Sequence, residues 1–352
     1  MLLNCMIMEN NVDAFGGTKM SLKNPATLSV VATCYNGARF LPTFFKCLQS
    51  QTYQDFQLVI VNDGSTDNSL SIIKEYCKKY GNSIYLDSDN FGVATAKDRG
   101  VFLAEGKYLT FCDVDDILAP CHFENLVNTI ESTGADMGVC SFRRISQKKV
   151  DKIKLNTINF AKAKTEIYNT EESLSQYFSQ KKFDFVLWNK IFLMQTVRES
   201  GACFLDGTRY GEESYFIYTF LKRSTKTAYR AVKTYHYIQW KSSLMHTSFN
   251  PSRLDIYKNI NAVLSDSQNN LSSISKYVCS MRAGYSCGLL YFMKKSKYND
   301  AEWINRIIEY LKLDCKQLKK CKKTACYRKA FIPLVAPMAQ LVFRKTLKGK
   351  TI

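Results

Sequence analysis

The sequence predicts an α/β fold: a mostly parallel central sheet flanked by helices, followed by a helical C-terminal region. Three observations carry that expectation. Between Thr27 and Phe142, short β-branched and aromatic runs alternate with stretches of helix-spaced apolar residues, as right-handed βαβ crossovers require. Three of those runs end in polar clusters: Thr33-Cys34-Tyr35-Asn36, Asn62-Asp63-Gly64-Ser65 and Asp113-Val114-Asp115-Asp116. From Arg253 to Tyr310 the apolar spacing is helical throughout. Ligands of open α/β sheets sit outside the carboxyl ends of the strands, so the three polar clusters are expected to meet in one crevice.

In chain order, Leu28–Thr33 reads as the first strand, closed by the turn signal Asn36-Gly37. Arg39–Gln49 follows as a helix, with apolar residues at Phe40, Leu41, Phe44, Phe45 and Leu48. Phe56–Val61 is the second strand, and Asp67 is placed to cap a helix over Ser69–Tyr80. Ser83–Leu86 is a short third strand, Gly92–Leu103 a helix, Lys107–Cys112 the fourth strand and Ala135–Phe142 the fifth. Beyond Lys152 the pattern loosens, with a helix expected over Thr170–Phe178 and an apolar run over Val186–Phe192.

The chain, 352 residues long, is long enough for one large or two modest domains. Its 46% hydrophobic and 23% charged residues exclude wholesale disorder. Thirteen scattered cysteines without a C-x-x-C pair, beside three histidines, argue against a zinc site and for reduced thiols. The stretch 1–20 lacks the basic n-region of a signal peptide, Met20 is an alternative start, and no apolar run is long enough to span a bilayer. The expected location is cytoplasmic. A net charge of +18 calls for an anionic partner: nucleic acid, a membrane surface or a phosphate-bearing substrate. The charge is uneven, with about a dozen Lys and Arg between Lys312 and Lys350 against the single Asp314.

Asp113, Asp115 and Asp116 set three carboxylates within four residues at a strand end. Like charges this close resist burial unless something positive neutralises them. A hard divalent cation, Mg²⁺ or Mn²⁺, does so and leaves positions open for phosphate oxygens; a solvated acidic turn is the simpler alternative.

Taken in order, Ser29–Gly37, Val61–Asp67 and Asp113–Asp116 resemble a family 2 glycosyltransferase of the GT-A (Rossmann-like) fold over roughly residues 27–240. The resemblance implies an inverting enzyme that uses a nucleotide sugar and a divalent metal (Mn²⁺ or Mg²⁺). It implies that Asp63 accepts hydrogen bonds from the donor's base, and that Thr33, Tyr35 and Asn36 pack base and ribose, Tyr35 either stacking or standing as an exposed turn residue. Gly92–Gly100 is similar to a family segment ending Ala-Arg-Asn-x-Gly, with Lys97 for Arg and Asp98 for Asn. A cation there suits the donor's phosphate, though Lys lacks the guanidinium fork; a solvated surface Lys is the alternative, and Arg99 ranks second. Asp115 and Asp113 match the metal-binding D-x-D, with Val114 between them on the donor side and Asp116 as an orienting group.

Val186–Phe192 resembles a Trp-Asn-Lys-Leu-Phe segment on the acceptor side, where Trp188 is either an acceptor platform or core. Tyr210–Phe216 is similar to Gly-Glu-Asp-x-x-Phe, whose Asp is the catalytic base. Glu213 falls there, with Glu212 beside it. Glu is a competent base but reaches about 1.5 Å farther, and misplacement on that scale costs about a hundredfold in rate. Thr234–His246 resembles a closing Tyr-Tyr-Tyr-Arg segment, from which Gln239 and Lys241 reach the diphosphate, the segment acts as a lid, and His246 is a further metal ligand.

The expected layout is an N-terminal extension (1–25), a glycosyltransferase domain (26–250, donor half about 26–116, acceptor half about 117–250), a helical region (251–315) and a basic, apolar tail (316–352). The tail fits an anionic membrane surface, which suits an acceptor that is a saccharide or a lipid-linked saccharide and a protein peripheral at the inner face of the cell membrane. The expected role is sugar transfer, from a UDP-sugar before other donors, in surface-glycan synthesis. The alternatives are a weak or inactive sugar-nucleotide-binding relative, a nucleotidyltransferase, which would want a Gly-rich basic loop after the first strand, and a nucleic-acid-binding protein, disfavoured because no such motif occurs.

Overall fold

The computed structural model describes residues 26–153, 158–160, 162–240, 249–270 and 272–320, without side chains at 268–270, 272–273 and 319–320. The N-terminal extension, Lys241, His246 and the tail beyond Lys320 lie outside the described residues.

The first half is a run of strand–helix units. β1 (Leu28–Cys34), β2 (Phe56–Asp63), β3 (Ser83–Ser88) and β4 (Tyr108–Asp113) are joined by α1 (Leu41–Gln49), α2 (Ser69–Lys79) and α3 (Val93–Leu103). β2 is buried along its whole length, because helices cover both faces of a parallel sheet and leave no side for alternation. α3 lies close on β1: a Cβ at Gly100 would come 2.4 Å from Val31 Cγ1. Asn68 precedes α2 but makes no side-chain cap. Asp67 does that work from one residue earlier, accepting from Ser69 N at 3.0 Å and from Ala38 N at 3.1 Å.

The second half adds β5 (Ile117–Leu118), α4 (His122–Glu131), β6 (Met137–Ser146), β7 (Thr165–Tyr168), α5 (Thr170–Ser179), β8 (Lys190–Leu193), α6 (Met194–Ser200), α7 (Glu213–Arg223) and β9 (Thr227–Gln239). Among the described residues these strands complete one nine-stranded mixed sheet, ordered β3-β2-β1-β4-β8-β6-β9-β5 with β7 on β9. β4 and β6 are both antiparallel to β8, so they run the same way and end at the same edge. The strand expected at Ala135–Phe142 instead runs to Ser146, held by β9 across a bulge near Ser141. α5 starts in a capping box, Asn169 with Glu172.

α8 (Ile256–Asn270), α9 (Ser272–Lys295) and α10 (Ala301–Lys320) follow. They are not a separate body. Ile260, Val278 and Leu318 share one apolar cluster with Leu174, Phe192 and Phe216 of the sheet-bearing half. Arg282 of α9 clamps Asp314 of α10 (Nη2–Oδ1 2.8 Å, Nε–Oδ2 3.0 Å) and donates to Asn261 of α8 at 2.7 Å. α10 runs to Lys320, so the expected basic tail begins within a helix. Among the described residues no helix is long and apolar enough to cross a membrane, and the described cysteines are free thiols.

Candidate active site

Parallel register sets the strand ends side by side: Thr33 opposite Asp113, Cys34 opposite Asn62, Asp63 opposite Ser88. A cleft of about 210 Å³ opens there, lined by Thr33, Tyr35, Phe40, Asp113, Val114 and Asp115 among others. Two of the three expected polar clusters line it, and the Asn62–Ser65 cluster stands beside them at the end of β2. Tyr35 is 54% exposed at the cleft rim.

Asn36 is committed to the loop beside it. It adopts φ +51°, and its Oδ1 accepts from Thr66 N at 2.8 Å and Asp67 N at 3.3 Å, tying the ends of β1 and β2 together. Asp63, 5% exposed, accepts from Phe91 N at 2.9 Å and Gly92 N at 3.1 Å. It thereby holds the loop that starts α3, and each oxygen keeps one further lone pair.

Asp113, Asp115 and Asp116 each offer a carboxylate oxygen within 4.8 Å of the others. The end of β9 fixes their turn: Ile238 N donates to Asp116 Oδ1 at 2.7 Å, Trp240 Nε1 to the Asp115 carbonyl at 2.8 Å, and Asp113 N to the Tyr235 hydroxyl at 3.2 Å. Burial pushes the Asp113 carboxyl up to about 6 against the pull of Lys97. Burial likewise raises Asp115, and raises Asp116 well above the usual range with Asp113 and Asp115 adding repulsion. The second oxygen of Asp116 faces the Tyr235 hydroxyl without a well-formed hydrogen bond. Crowded carboxylates that resist ionisation, one with an oxygen unsatisfied, fit a hard divalent cation.

Behind this turn lies a second charged group. Lys97 of α3, 5% exposed, donates to Glu212 Oε1 at 2.8 Å and Glu213 Oε1 at 2.9 Å. Burial works against its charge, but Glu212, Glu213 and Asp113 outweigh it and hold the ammonium above its usual value. Its position on α3 aims it at the two glutamates, with Asp113 next in its field. Burial pushes Glu213 up to about 7 although Lys97 pulls it down. Gly211 (φ +71°), packed against Ile256, turns the chain so that Glu213 opens α7. Asp98, raised by burial to about 7, accepts from Phe204 N at 3.0 Å and anchors the approach to that turn.

Of the two readings of Trp188, platform or core, the packing matches the second. Trp188 is 3% exposed, stacked on Tyr235 at 4.2 Å and Tyr237 at 5.8 Å, with Phe142 edge-on at 4.6 Å. Its ring is core and has no face to offer an acceptor. Lys190, in the same segment, is fully buried, donates to the Asp184 carbonyl at 2.8 Å and to Asn189 Oδ1 at 2.9 Å, and is lowered by burial to about 8.

Gln239 ends β9, half-buried, between the two residues that grip the acidic turn. Lys241 and His246 fall outside the described residues. Sequence reasoning missed Phe40 and Trp240, which meet at 4.9 Å with the Arg39 guanidinium 4.3 Å and 5.6 Å from their rings. Arg39 also draws down the Asp115 carboxyl that burial raises. Their signal was position: Arg39-Phe40 directly follows the β1 turn, and Trp240 follows a tyrosine-rich strand.

Residues 29–199 match the family described as glycosyl transferase family 2. The uncharacterized glycosyltransferase YibD of Escherichia coli is 25% identical over 62% of this chain and 62% of its own length. The minor teichoic acid biosynthesis protein GgaB of Bacillus subtilis is 40% identical over 28% of this chain, though only 11% of GgaB. The chain thus spans less than two thirds of both relatives. Among solved structures, S. aureus TarS 1–349 in complex with UDP-GlcNAc aligns with a TM-score of 0.61 at 16% identity, covering 81% of this chain and 79% of that 1–349 fragment. Residues 29–199 thus form a glycosyltransferase family 2 domain, and the fold around them is GT-A-like.

Proposed function

We propose that the protein transfers a sugar, with inversion, from a nucleotide-sugar donor to a hydroxyl of a saccharide or lipid-linked saccharide acceptor in surface-glycan synthesis. One observation carries the reading: the carboxylate turn Asp113–Asp116 and the pair Lys97–Glu213 lie close enough for Asp113 to be felt by both Lys97 and Glu213. The acceptor oxygen attacks the anomeric carbon, the bond to the diphosphate breaks with its electron pair, and the acceptor proton passes to Glu213. A carboxyl near 7 is poised for that task. Glu212 stays on Lys97 when Glu213 becomes neutral, so the buried ammonium keeps a counter-charge throughout.

On the donor side, Asp63 at the neighbouring strand end accepts from the base through its free lone pairs, while Thr33 and Tyr35 line the cleft beside it and Asn36 keeps the loop in place. Asp115 and Asp113, with Asp116, would hold Mg²⁺ or Mn²⁺, which supplies positive charge to the departing diphosphate. The TarS complex carries UDP-GlcNAc, which puts UDP-sugars first. Slow donor hydrolysis tests the stereochemistry: followed by proton NMR with an α-linked UDP-sugar and Mn²⁺, the first sugar released is expected as the β-anomer. An α-anomer appearing first would sink the single-displacement reading.

A further inference from the structure

At the end of β6 a second opening, of about 570 Å³, is lined by Arg143, Arg144, Lys181, Lys182 and Lys233 against one carboxylate, Asp184. Lys182 is paired with Glu166 at 2.9 Å. Arg143, Arg144, Lys181 and Lys233 are exposed and make no ion pair among the described residues. Four cations without an ion pair, facing the one carboxylate of Asp184, repel each other, and the fold holds them there through a bulge. The β6–β9 register slips on both sides of Ser141, bringing Lys233 opposite Ser141 and Tyr235 opposite Phe142, and a bulge re-aims side chains in this way.

The opening lies at the same sheet edge as the acidic turn, because β4 and β6 run in the same direction. A single aromatic layer joins the two. Phe142, on the wall of the opening, meets Trp188 at 4.6 Å; Trp188 stacks on Tyr235 at 4.2 Å; and the Tyr235 hydroxyl accepts from Asp113 N.

We propose that this opening seats the acceptor, and that the acceptor is a glycan or polyol chain carrying phosphodiesters, an assignment that rests on the glycosyltransferase reading above. Guanidinium forks match phosphate oxygens in pairs, and Arg143-Arg144 with Lys181 and Lys233 supply cations on several sides. A flat bilayer surface does not enter a concavity. Nucleic acid would want bare rings for its bases, yet Arg144 lies 4.9 Å from the Phe142 ring and Lys182 lies 5.5 Å from that of Tyr229.

The test compares binding of a soluble glycerol-phosphate oligomer, a neutral dextran oligomer, a single-stranded oligonucleotide and phosphatidylglycerol vesicles to the full chain. It uses two triple variants of equal charge loss: Arg143→Ser/Lys181→Ser/Lys233→Ser at the opening, and Lys46→Ser/Lys78→Ser/Lys79→Ser on exposed positions of α1 and α2. The phosphate oligomer is expected to bind the wild type, to lose about tenfold or more with the opening triple as charge-assisted contacts go, and to lose less than about twofold with the control. The single Arg143→Ser, a milder change at an exposed position, is expected to weaken binding in the same direction. Equal loss in both triples, tighter binding of oligonucleotide or vesicles through the opening, or dextran binding as well as the phosphate oligomer would each overturn the proposal. UDP binding with Mn²⁺ is read on the same wild-type protein. Its failure alone would count against the transferase reading, and failure of the phosphate oligomer alone against this site.

Discussion

At the scale of single residues, the proposed chemistry turns on Lys97 having two carboxylate partners rather than one. A lone buried Lys–Glu pair would hold its carboxylate ionised and poorly basic. Here Lys97 is shared between Glu212 and Glu213, and burial keeps Glu213 near 7. Because a raised carboxyl acts as base only once deprotonated, kcat/KM should climb as pH rises through about 7 and level above it. Glu213→Gln should cost about 10²–10⁴-fold in kcat, leave donor binding in place and abolish that limb of the profile; a variant with an unchanged profile would move the base elsewhere. The acidic turn and the glutamate pair were legible in the sequence because motif spacing records which strand or helix end a residue sits on. Lys97's partners were not, since they lie 115 and 116 positions away and only packing brings them together. Trp188 was ambiguous for the same reason: an aromatic in an apolar run reads alike as platform or core until its neighbours, Tyr235 and Phe142, are placed.

At the scale of elements, α3 does two things at once. Its Gly100 face lies flat on β1, and its Lys97 reaches the second charged group. Gly100→Ala places a methyl 2.4 Å from Val31 Cγ1, so α3 must lift. A loss of about 1–3 kcal/mol in chemical denaturation is expected from such overpacking, with weaker turnover as Lys97 and Glu213 shift. Wild-type stability and turnover in this variant would mean that the close approach has no role. The parallel strands β1 to β4 and their crossovers were readable from composition, because strands buried on both faces are continuous apolar runs. β9 was not anticipated as a strand. Its alternation, exposed Ala231 and Lys233 against buried Val232 and Thr234, is half-hidden by a bulge and by polar residues, and its role in gripping Asp113, Asp115 and Asp116 appears only once it pairs with β5 and β6.

At the scale of the whole molecule, the C-terminal helices complete the catalytic half instead of decorating it. Ile256 backs Gly211, Tyr218 donates to Asp266 at 2.6 Å, and α8 to α10 share the core of α5 and α7. A chain ending at Asn250 should therefore be insoluble or lack a cooperative thermal transition by calorimetry; a well-folded truncated domain that still binds UDP would show the helices to be dispensable. The helical spacing of this region was plain in the sequence, but its attachment to the Glu213 turn was not, since apolar periodicity says which face is buried and not against what. The central claim is that Asp113, Asp115 and Asp116 form a metal-dependent seat for a nucleoside diphosphate. Calorimetric titration of UDP into wild type and Asp115→Ala, each with Mn²⁺ and with EDTA, tests it directly. Binding that needs Mn²⁺ and is lost in the variant is the predicted result; UDP binding equally well in EDTA, or undiminished in Asp115→Ala, would contradict it.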